Sequence, residues 1–310
     1  MLALVALGLS GCSASDGASE AEDDGALRFE ESYLVTPDGI RLYVRVTGSG
    51  PDTVIVPAAA WLARDFGPLS HGRTLIFFDP RGRGGSDAVV DSSRIGIEHE
   101  IRDIDFVRER FGLESVSLIG WSYLGAVVAL YAAEHPGRVD RVVQVGPMAP
   151  TTEATRYEGV RGSPPDSVDR AFLEELAESG RRAADPVGYC REYLMRMMMR
   201  PMMGRPDSAA RARIDPCIYW NEWPDQLFAM VPLLLPTEWD YTDEARRVSA
   251  PVLTIHGTDD PNAAVEGGRA WAELMPNARL VELEDVGHAP WLEAPDRFFS
   301  EVDAFLRGGP

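Results

Sequence analysis

The stretch Val116–Tyr131 constrains the fold more than any other part of the chain. It reads Val-Ser-Leu-Ile-Gly-Trp-Ser-Tyr-Leu-Gly-Ala-Val-Val-Ala-Leu-Tyr. A short apolar run at Val116–Ile119 predicts a buried strand, and apolar residues at helical spacing over Tyr123–His135 predict a helix. Gly120 and Ser122 lie between them. The sequence therefore predicts a strand, a tight turn with a serine at its apex, and a helix.

The turn around Ser122 matches a pattern that presents a serine hydroxyl as a nucleophile. The backbone of such a turn is strained and the strand and helix nearly touch, so small residues are needed around the serine. Gly120 and Gly125 meet this need, whereas Leu124 stands where the common pattern G-x-S-x-G has glycine. Because a G-x-S match is frequent by chance, an ordinary strand-to-helix turn with a capping serine is the alternative.

Composition narrows the class of protein and the chemistry open to it. The 310 residues are 45% hydrophobic, which suits one large α/β domain or a domain with an insertion. A net charge of −19 argues against nucleic acid as a partner and against electrostatic binding to anionic lipid. All 30 basic residues are Arg, so no lysine is present for a Schiff base or a serine–lysine pair. A serine nucleophile in this chain therefore needs a histidine.

The N-terminal segment has the features of an export signal. Residues Met1–Gly11 are almost wholly apolar but too short to span a membrane, and a polar acidic run follows Cys12 as far as Gly25. The residues Leu9-Ser10-Gly11-Cys12 resemble the lipobox of bacterial lipoproteins, although no Arg precedes the apolar run. That resemblance implies a lipid on Cys12, a flexible tether after it, and an exported protein held to the bacterial envelope only through this lipid. The alternative is a mis-set start and a cytoplasmic protein.

Two further cysteines, Cys190 and Cys217, remain if Cys12 is lipidated. Outside the cytoplasm they could form a disulfide, and two separate buried thiols are the alternative. None of the three cysteines has the spacing of zinc ligands, so we predict no metal site.

Strand and helix patterns alternate on both sides of the Ser122 turn. A Pro-Asp-Gly turn at 37–39 predicts that the first two strands form a hairpin. The alternation of the rest predicts a mostly parallel sheet covered by helices on both faces. The predicted strands are 31–35, 41–46, 52–56, 74–78, 116–119, 139–145, 252–256 and 279–283, and the predicted helices in this part are 98–111, 123–135, 266–274 and 291–306.

Between residues 148 and 248 the strand patterns disappear. Residues 171–184 and 192–199 have helical periodicity, and the segments 219–224 and 228–235 are strongly apolar. This change predicts a helical insertion in the α/β domain. The predicted organisation is a signal and tether at 1–25, an α/β core formed by 26–147 and 249–310, and a helical cap at 148–248.

A base for Ser122 is expected at the carboxyl edge of the sheet, because the loops that follow parallel strands gather there. Of the 5 histidines, His288 lies in such a loop, between the last strand and the last helix, and is the predicted base. The acid that orients it is expected after a strand at the same edge, where Asp259 and Asp260 both qualify. The alternative is a turn whose aspartates only cap the next helix.

Together these segments resemble the α/β-hydrolase family with a helical cap, over about residues 34–306. The residues that carry the resemblance are Gly120-Trp121-Ser122-Tyr123-Leu124-Gly125, the loop Asp79–Asp87, His256-Gly257-Thr258-Asp259-Asp260, and Gly287-His288-Ala289-Pro290-Trp291-Leu292-Glu293. In that family the acid usually falls three residues after the glycine of the His-Gly pair. The resemblance therefore implies Asp260 as the acid, with Asp259 as second choice, in a Ser122–Asp260–His288 triad that needs no cofactor.

An oxyanion hole needs two backbone N–H groups directed at the place where negative charge develops. One is expected from Tyr123, at the start of the helix in the turn motif. The other is expected from the loop after strand 52–56, by position from Ala59 or else from Ala60. The family usually has His-Gly in this loop, which here reads Pro57-Ala58-Ala59-Ala60-Trp61. The donors remain without that pair, because every residue except proline has an N–H.

The cap is expected to roof the substrate pocket with soft apolar side chains. Trp61 and Trp121, close to the nucleophile in the core, are predicted to contact the substrate as well. The predicted lining residues of the cap are Met195, Met197–Met199, Met202, Met203, Trp220 and Trp223. For each of them, simple packing of the cap against the core is the alternative.

These residues predict a serine hydrolase that cleaves a small ester through an acyl-enzyme. The serine argues against family members with an aspartate nucleophile, such as epoxide hydrolases. A proline-iminopeptidase-like aminopeptidase is the first alternative, and it would bind a free amino terminus through an acidic cap residue such as Glu222. A non-catalytic binding protein on the same scaffold is the second, supported by Leu124 and by the missing His-Gly pair.

Overall fold

A computed structural model describes residues 27–155, 167–194, 234 and 238–309. Its strands are β1 Glu30–Val35, β2 Arg41–Thr47, β3 Asp52–Pro57, β4 Arg73–Phe78, β5 Val116–Trp121, β6 Val139–Val145, β7 Val252–Gly257 and β8 Ala278–Leu283. They form one sheet in the order β1-β2-β4-β3-β5-β6-β7-β8. β2 pairs antiparallel with β1 and with β4, and the other pairs are parallel. The predicted α/β class with a mostly parallel sheet is confirmed.

The central strands are covered on both faces. Every residue of β7 is buried, and in β5 only Ser117 is partly exposed. Because successive side chains of a strand point to opposite faces, unbroken burial requires packing on both. The apolar runs read from the sequence are therefore the interior of the sheet, and the edge strand β1 is exposed along most of its length.

The helices lie in the chain segments between these strands and after the last strand. Those in the described residues are α1 Ala59–Phe66, α2 Ile97–Arg110, α3 Tyr123–Glu134, α4 Ser167–Glu178, α5 Arg181–Ala184, α6 Pro186–Leu194, α7 Thr242–Arg247, α8 Val265–Leu274, α9 Pro290–Glu293 and α10 Pro295–Leu306. None of the helices in this part of the chain is both long and apolar enough to cross a membrane.

Several helix boundaries differ from the prediction. The helix predicted at 171–184 is divided into α4 and α5, because Gly180 has a φ of 68° that a helix cannot contain. The helix predicted at 291–306 is divided into α9 and α10, because Pro295 has no N–H to continue the first helix and instead begins the second. Two short helices, α1 and α7, were not predicted at all.

Most of the predicted cap, including residues 195–233, lies outside the described residues, as does the N-terminal segment 1–26. The two chain segments that lead from the core toward this region pair with each other. The Thr152 N–H donates to the Trp239 carbonyl over 2.9 Å, and the Tyr241 N–H donates to the Pro150 carbonyl over 2.9 Å. The two ends of the predicted insertion are therefore held side by side.

Candidate active site

Ser122 occupies the turn between β5 and α3 in a strained conformation, with φ 57° and ψ −127°. Its N–H donates to the Val145 carbonyl over 2.9 Å. Its carbonyl accepts the N–H groups of Gly125, over 2.9 Å, and Met148, over 3.1 Å. These three hydrogen bonds hold the backbone in a conformation that serine rarely adopts, and they fix the position from which the hydroxyl projects.

Glycine is required where β5 and α3 approach each other. A Cβ on Gly120 would lie 2.2 Å from the Leu124 carbonyl oxygen, and one on Gly125 would lie 3.2 Å from the Gly120 oxygen. Leu124, which takes the place of the pattern's last glycine, has its side chain in the hydrophobic core. The close approach involves the Leu124 backbone, so its side chain is accommodated in this turn.

The loops after β7 and β8 bring Asp260 and His288 together. His288 Nδ1 lies 2.6 Å from Asp260 Oδ2, and both side chains are almost completely buried. Asp260 Oδ1 accepts the N–H groups of Asn262, over 2.8 Å, and Ala263, over 2.9 Å. Asp259, the second choice for the acid, is exposed. Asp260 is therefore the carboxylate that faces the predicted base.

Opposing effects act on the Asp260 carboxyl. Burial alone would raise its pKa, but the electrostatic interaction with His288 and hydrogen bonds from His256 and His288 outweigh burial. The pKa of Asp260 is thus held well below its usual range, and the group is ionised at neutral pH. An ionised carboxylate can only accept, so the hydrogen in this bond is on His288 Nδ1, and Nε2 is the ring nitrogen left to act as a base.

Ser122 and His288 border the same short segment at the end of β6. Val145 accepts the Ser122 N–H, and a Cβ on the next residue, Gly146, would lie 3.2 Å from His288 Nδ1. From the other side, the Trp121 indole N–H donates to the His288 carbonyl over 2.9 Å. The residue just before the predicted nucleophile is thus hydrogen-bonded to the backbone of the predicted base.

His256, which was not among the predicted site residues, also contacts Asp260. Its Nε2 lies 2.8 Å from the Ala263 carbonyl and 3.3 Å from Asp260 Oδ2. The ring is fully buried at the end of β7. The sequence contains a signal for this contact, because His256 belongs to the His-Gly pair that precedes the two aspartates. The glycine of that pair indicates the position of Asp260, and the histidine lies next to it in the fold.

The two predicted oxyanion donors are the first residues of two helices, where N–H groups have no partner within the helix. Tyr123 begins α3 and Ala59 begins α1. The Ala60 N–H is taken by Asp79 Oδ1 over 2.8 Å, and the Ala58 N–H by the Phe78 carbonyl over 2.7 Å. Of these three consecutive amides, only that of Ala59 has no acceptor among the described residues, which favours Ala59 over Ala60.

The ring of Trp121 lies against His288, and two other tryptophan rings pack against Trp121. The ring centres of Trp61 and Trp121 are 5.6 Å apart, and that of Trp121 is 5.2 Å from His288. Trp121 also meets Trp291 edge-on at 5.0 Å. The two core tryptophans predicted to contact the substrate therefore lie together, and Trp121 is the one beside the predicted base.

The other predicted site residues are outside the described part of the chain. They are Cys12, Cys217, Trp220, Glu222 and Trp223, together with the methionines of the predicted cap. Cys190 lies in α6, is fully buried and is disulfide-bonded to a sulfur that is not in the described residues. Its pairing with Cys217 stays a prediction. Among the described residues, no group of three or more His, Cys, Asp or Glu side chains is arranged to hold a metal ion.

Most of the chain is similar to known proteins in sequence and in fold. A family model described as alpha/beta hydrolase fold matches residues 59–295. A pimeloyl-[acyl-carrier protein] methyl ester esterase of Nitrosomonas europaea is 28% identical over 270 residues, which cover 85% of this chain and 98% of that protein. A proline iminopeptidase of Heyndrickxia coagulans is 22% identical over 243 residues, covering 77% and 83%. The solved structure of the esterase RhEst1 from Rhodococcus sp. ECU1013 matches with a TM-score of 0.62 and 26% identity, covering 91% of this chain and 99% of that one.

Proposed function

Because the chain belongs to the α/β-hydrolase fold family, we propose that it is a serine hydrolase that cleaves a small carboxylic ester. One observation carries the proposal: the buried pair of His288 Nδ1 and Asp260 Oδ2, 2.6 Å apart, beside the strained turn of Ser122. A serine hydroxyl is a weak nucleophile at neutral pH and needs such an oriented base. The esterases among its relatives support an ester as the substrate.

In the first half of the reaction, Ser122 Oγ forms a bond to the ester carbonyl carbon while its proton passes to His288 Nε2. The charge of Asp260 stabilises the imidazolium that results, because Nδ1–H remains hydrogen-bonded to the carboxylate. The carbonyl oxygen becomes an oxyanion and accepts the N–H groups of Tyr123 and Ala59. The carbon–oxygen bond to the alcohol then breaks, and the alcohol leaves with the proton from His288.

In the second half, water attacks the acyl group on Ser122. His288 takes a proton from the water and returns it to Ser122 Oγ as the serine–acyl bond breaks. The carboxylic acid leaves, and every group of the enzyme regains its initial protonation state. The sequence of steps uses no cofactor and no change in oxidation state.

The alternative activity, removal of an N-terminal residue from a peptide, requires a negative charge for the substrate ammonium. Its support is the relative named proline iminopeptidase. A buried acid in the described residues that acts electrostatically on Tyr123 is Glu100, which forms an ion pair with Arg83. Because Arg83 already neutralises that charge, the described part of the site favours an uncharged acyl group, and the predicted Glu222 remains the acid on which the alternative depends.

The proposal is tested with two probes of Ser122. Wild-type protein should hydrolyse p-nitrophenyl butyrate and be labelled by a fluorophosphonate, and Ser122→Ala should lose both. Ser115→Ala is the matched control, because Ser115 lies in the loop before β5 and its hydroxyl bonds only an exposed Asp140. This control should keep both activities.

A second measurement compares the turnover of proline-β-naphthylamide with that of p-nitrophenyl butyrate. Faster turnover of the amide than of any p-nitrophenyl ester would replace the esterase proposal with the aminopeptidase. Absence of both labelling and turnover in wild-type protein would leave a binding protein on the hydrolase scaffold and would reject the proposed chemistry.

We also propose that the protein is exported and held to a bacterial envelope through a lipid on Cys12, with residues 148–248 as a cap over the site. Support for the anchor is the lipobox-like sequence before Cys12. Metabolic labelling with a fatty acid should mark wild-type protein and not Cys12→Ala. If neither wild type nor Cys12→Ala is labelled by the fatty acid, and all of the protein is in the cytoplasmic fraction, the cytoplasmic alternative would be favoured.

A further inference from the structure

The loop Asp79–Asp87, part of the resemblance to the family, has no role in the reaction described above. Its first residue, Asp79, directly follows β4 and is almost completely buried. Asp79 Oδ1 accepts the Ala60 N–H over 2.8 Å, and Oδ2 accepts the Gly85 N–H over 2.9 Å. One carboxylate thus joins the start of α1 to the far side of its own loop.

The contact with Ala60 replaces a missing helix cap. The residue at the N-cap of α1 is Ala58, which has no side-chain acceptor and adopts a left-handed conformation with φ 85°. In most helices a Ser, Asp or Asn at this position accepts the second or third N–H of the helix. Here Ala60 is the second helical residue, and the acceptor is a carboxylate from the neighbouring strand.

This arrangement holds the peptide on either side of Ala59. The Ala58 N–H is bonded to Phe78, the last residue of β4, and the Ala60 N–H to Asp79, the next residue in the chain. The Ala59 N–H lies between these two fixed amides. Its position in space is therefore set by the end of β4 rather than by any local glycine or side-chain cap.

The loop surrounds the Asp79 carboxylate closely. A Cβ on Gly84, whose φ is 56°, would lie 2.2 Å from Oδ2, so no larger residue fits there. The Ser86 hydroxyl donates to the Asp79 carbonyl over 2.5 Å and accepts the Tyr43 N–H over 2.9 Å, which fastens the loop to β2. The carboxylate therefore has little freedom to move away from Ala60.

Charge strengthens the bond to Ala60 at neutral pH. Burial raises the pKa of Asp79 to about 6, against the opposing effect of hydrogen bonds from Ala60 and Gly85 and of the nearby Arg83 and Arg45. The carboxyl is thus mostly ionised above neutral pH. Hydrogen bonds to an ionised acceptor are shorter and stronger than those between neutral groups.

We propose that Asp79 is a positioning residue for the oxyanion hole, which holds the Ala59 N–H in place by binding the next amide along the chain. This inference rests on the proposed esterase function and deepens it. Removal of a whole oxyanion donor lowers kcat by about 100- to 1,000-fold in serine hydrolases. A donor that is displaced rather than removed should lower kcat by roughly 10- to 100-fold.

The experiment compares Asp79→Asn and Asp79→Ala with wild type on p-nitrophenyl butyrate, with rates divided by the active sites titrated with a fluorophosphonate. The Asn side chain keeps one oxygen that can accept the N–H of Ala60 or of Gly85, but its own NH2 group faces the other N–H. The loss of kcat should therefore be smaller for Asn than for Ala. Asp87→Asn is the matched control at the other end of the loop, where the carboxylate binds the exposed Arg41. We expect kcat to fall in both Asp79 variants with KM within about threefold, and the control to stay within twofold.

A trifluoromethyl ketone inhibitor gives the second readout, because its adduct with Ser122 places an oxyanion in the same hole. Its inhibition constant should rise in proportion to the loss of kcat/KM in the Asp79 variants. The proposal is overturned if kcat per titrated site is unchanged, or if only the fraction of active sites falls, as a structural role alone would give. If Asp79→Ala does not fold, the nearly isosteric Asn variant decides. Failure of wild-type protein to react with ester or fluorophosphonate would instead reject the proposed function.

Discussion

Replacing Asp79 by Asn should change how the stability of the protein depends on pH. The ordinary pKa of this carboxyl is 3.8, and burial raises it to about 6 in the folded chain. The folded protein therefore binds this proton more tightly than the unfolded chain does. Between about pH 4 and pH 6 the folded state carries more protons, so the contribution of Asp79 to stability rises as pH falls through this window.

The magnitude follows from the difference of about two pKa units. Over the whole window, the difference corresponds to about 3 kcal/mol in the free energy of unfolding. From pH 7.5 to pH 5.0 only part of the window is crossed, and the same linkage relation gives about 1.4 kcal/mol. Asn does not titrate, so the variant lacks this gain. As pH falls from 7.5 to 5.0, the free energy of unfolding of Asp79→Asn should therefore decrease by about 1.4 kcal/mol relative to that of wild type.

The assay is urea unfolding followed by tryptophan fluorescence, for wild type and variant at pH 7.5, 6.5 and 5.0. Other titrating carboxyls, such as Asp38 and Asp260 with their lowered pKa values, are present in both proteins and cancel in the difference. In Asp87→Asn the difference from wild type should not change over this range, because the bond from Arg41 lowers the pKa of Asp87 further below 5. A difference for Asp79→Asn that is equally flat, or that changes in the opposite direction, would refute the account of a buried ionised carboxylate.

Three further substitutions test other parts of the site and its support. Asp260→Asn should lower kcat by roughly 1,000- to 10,000-fold on p-nitrophenyl butyrate, because the amide favours the wrong tautomer of the base. Gly146→Ala should lower kcat about tenfold or more, since its φ is 47° and its Cβ would lie 3.1 Å from Asp260 Oδ2, whereas Gly137→Ala, with open space around it, should not. Asp103→Ala should lower the free energy of unfolding by at most about 3–5 kcal/mol in urea without changing kcat per titrated site, because it removes the buried partner of Arg81 at 2.6 Å and leaves Arg81 only the exposed Asp38.

The strands and the Ser122 turn could be predicted because their signals are local. Each central strand is a short run of apolar residues, and the turn is marked by glycines whose spacing follows from the approach of β5 and α3. With the family match, the predicted fold class and the predicted class of enzyme, a hydrolase, are confirmed. The roles of Ser122, Asp260 and His288 stay predictions until the labelling and variant experiments are done.

What could not be predicted depends on contacts between distant residues. Helix α1 was missed because its cap is Asp79, 19 positions away from the Ala60 amide that it binds. The sequence left Asp259 and Asp260 as alternatives because both follow the same strand. Only the folded loop, in which Asp260 binds two amides beyond it, determines which carboxylate turns inward.

The strand order explains how the two halves of the site meet at the nucleophile. The proposed donor Ala59 and the proposed positioning residue Asp79 follow β3 and β4, whereas Asp260 and His288 follow β7 and β8. Since the order of these strands is β4-β3-β5-β6-β7-β8, the strand that leads into Ser122, β5, lies between the proposed oxyanion side and the proposed base side. An ester carbonyl over Ser122 would thus have hydrogen-bond donors on one side and the imidazole on the other. All the groups that we propose to act on the reacting atoms come from the core, so the proposed cap would select the acyl or alcohol group rather than take part in the chemistry.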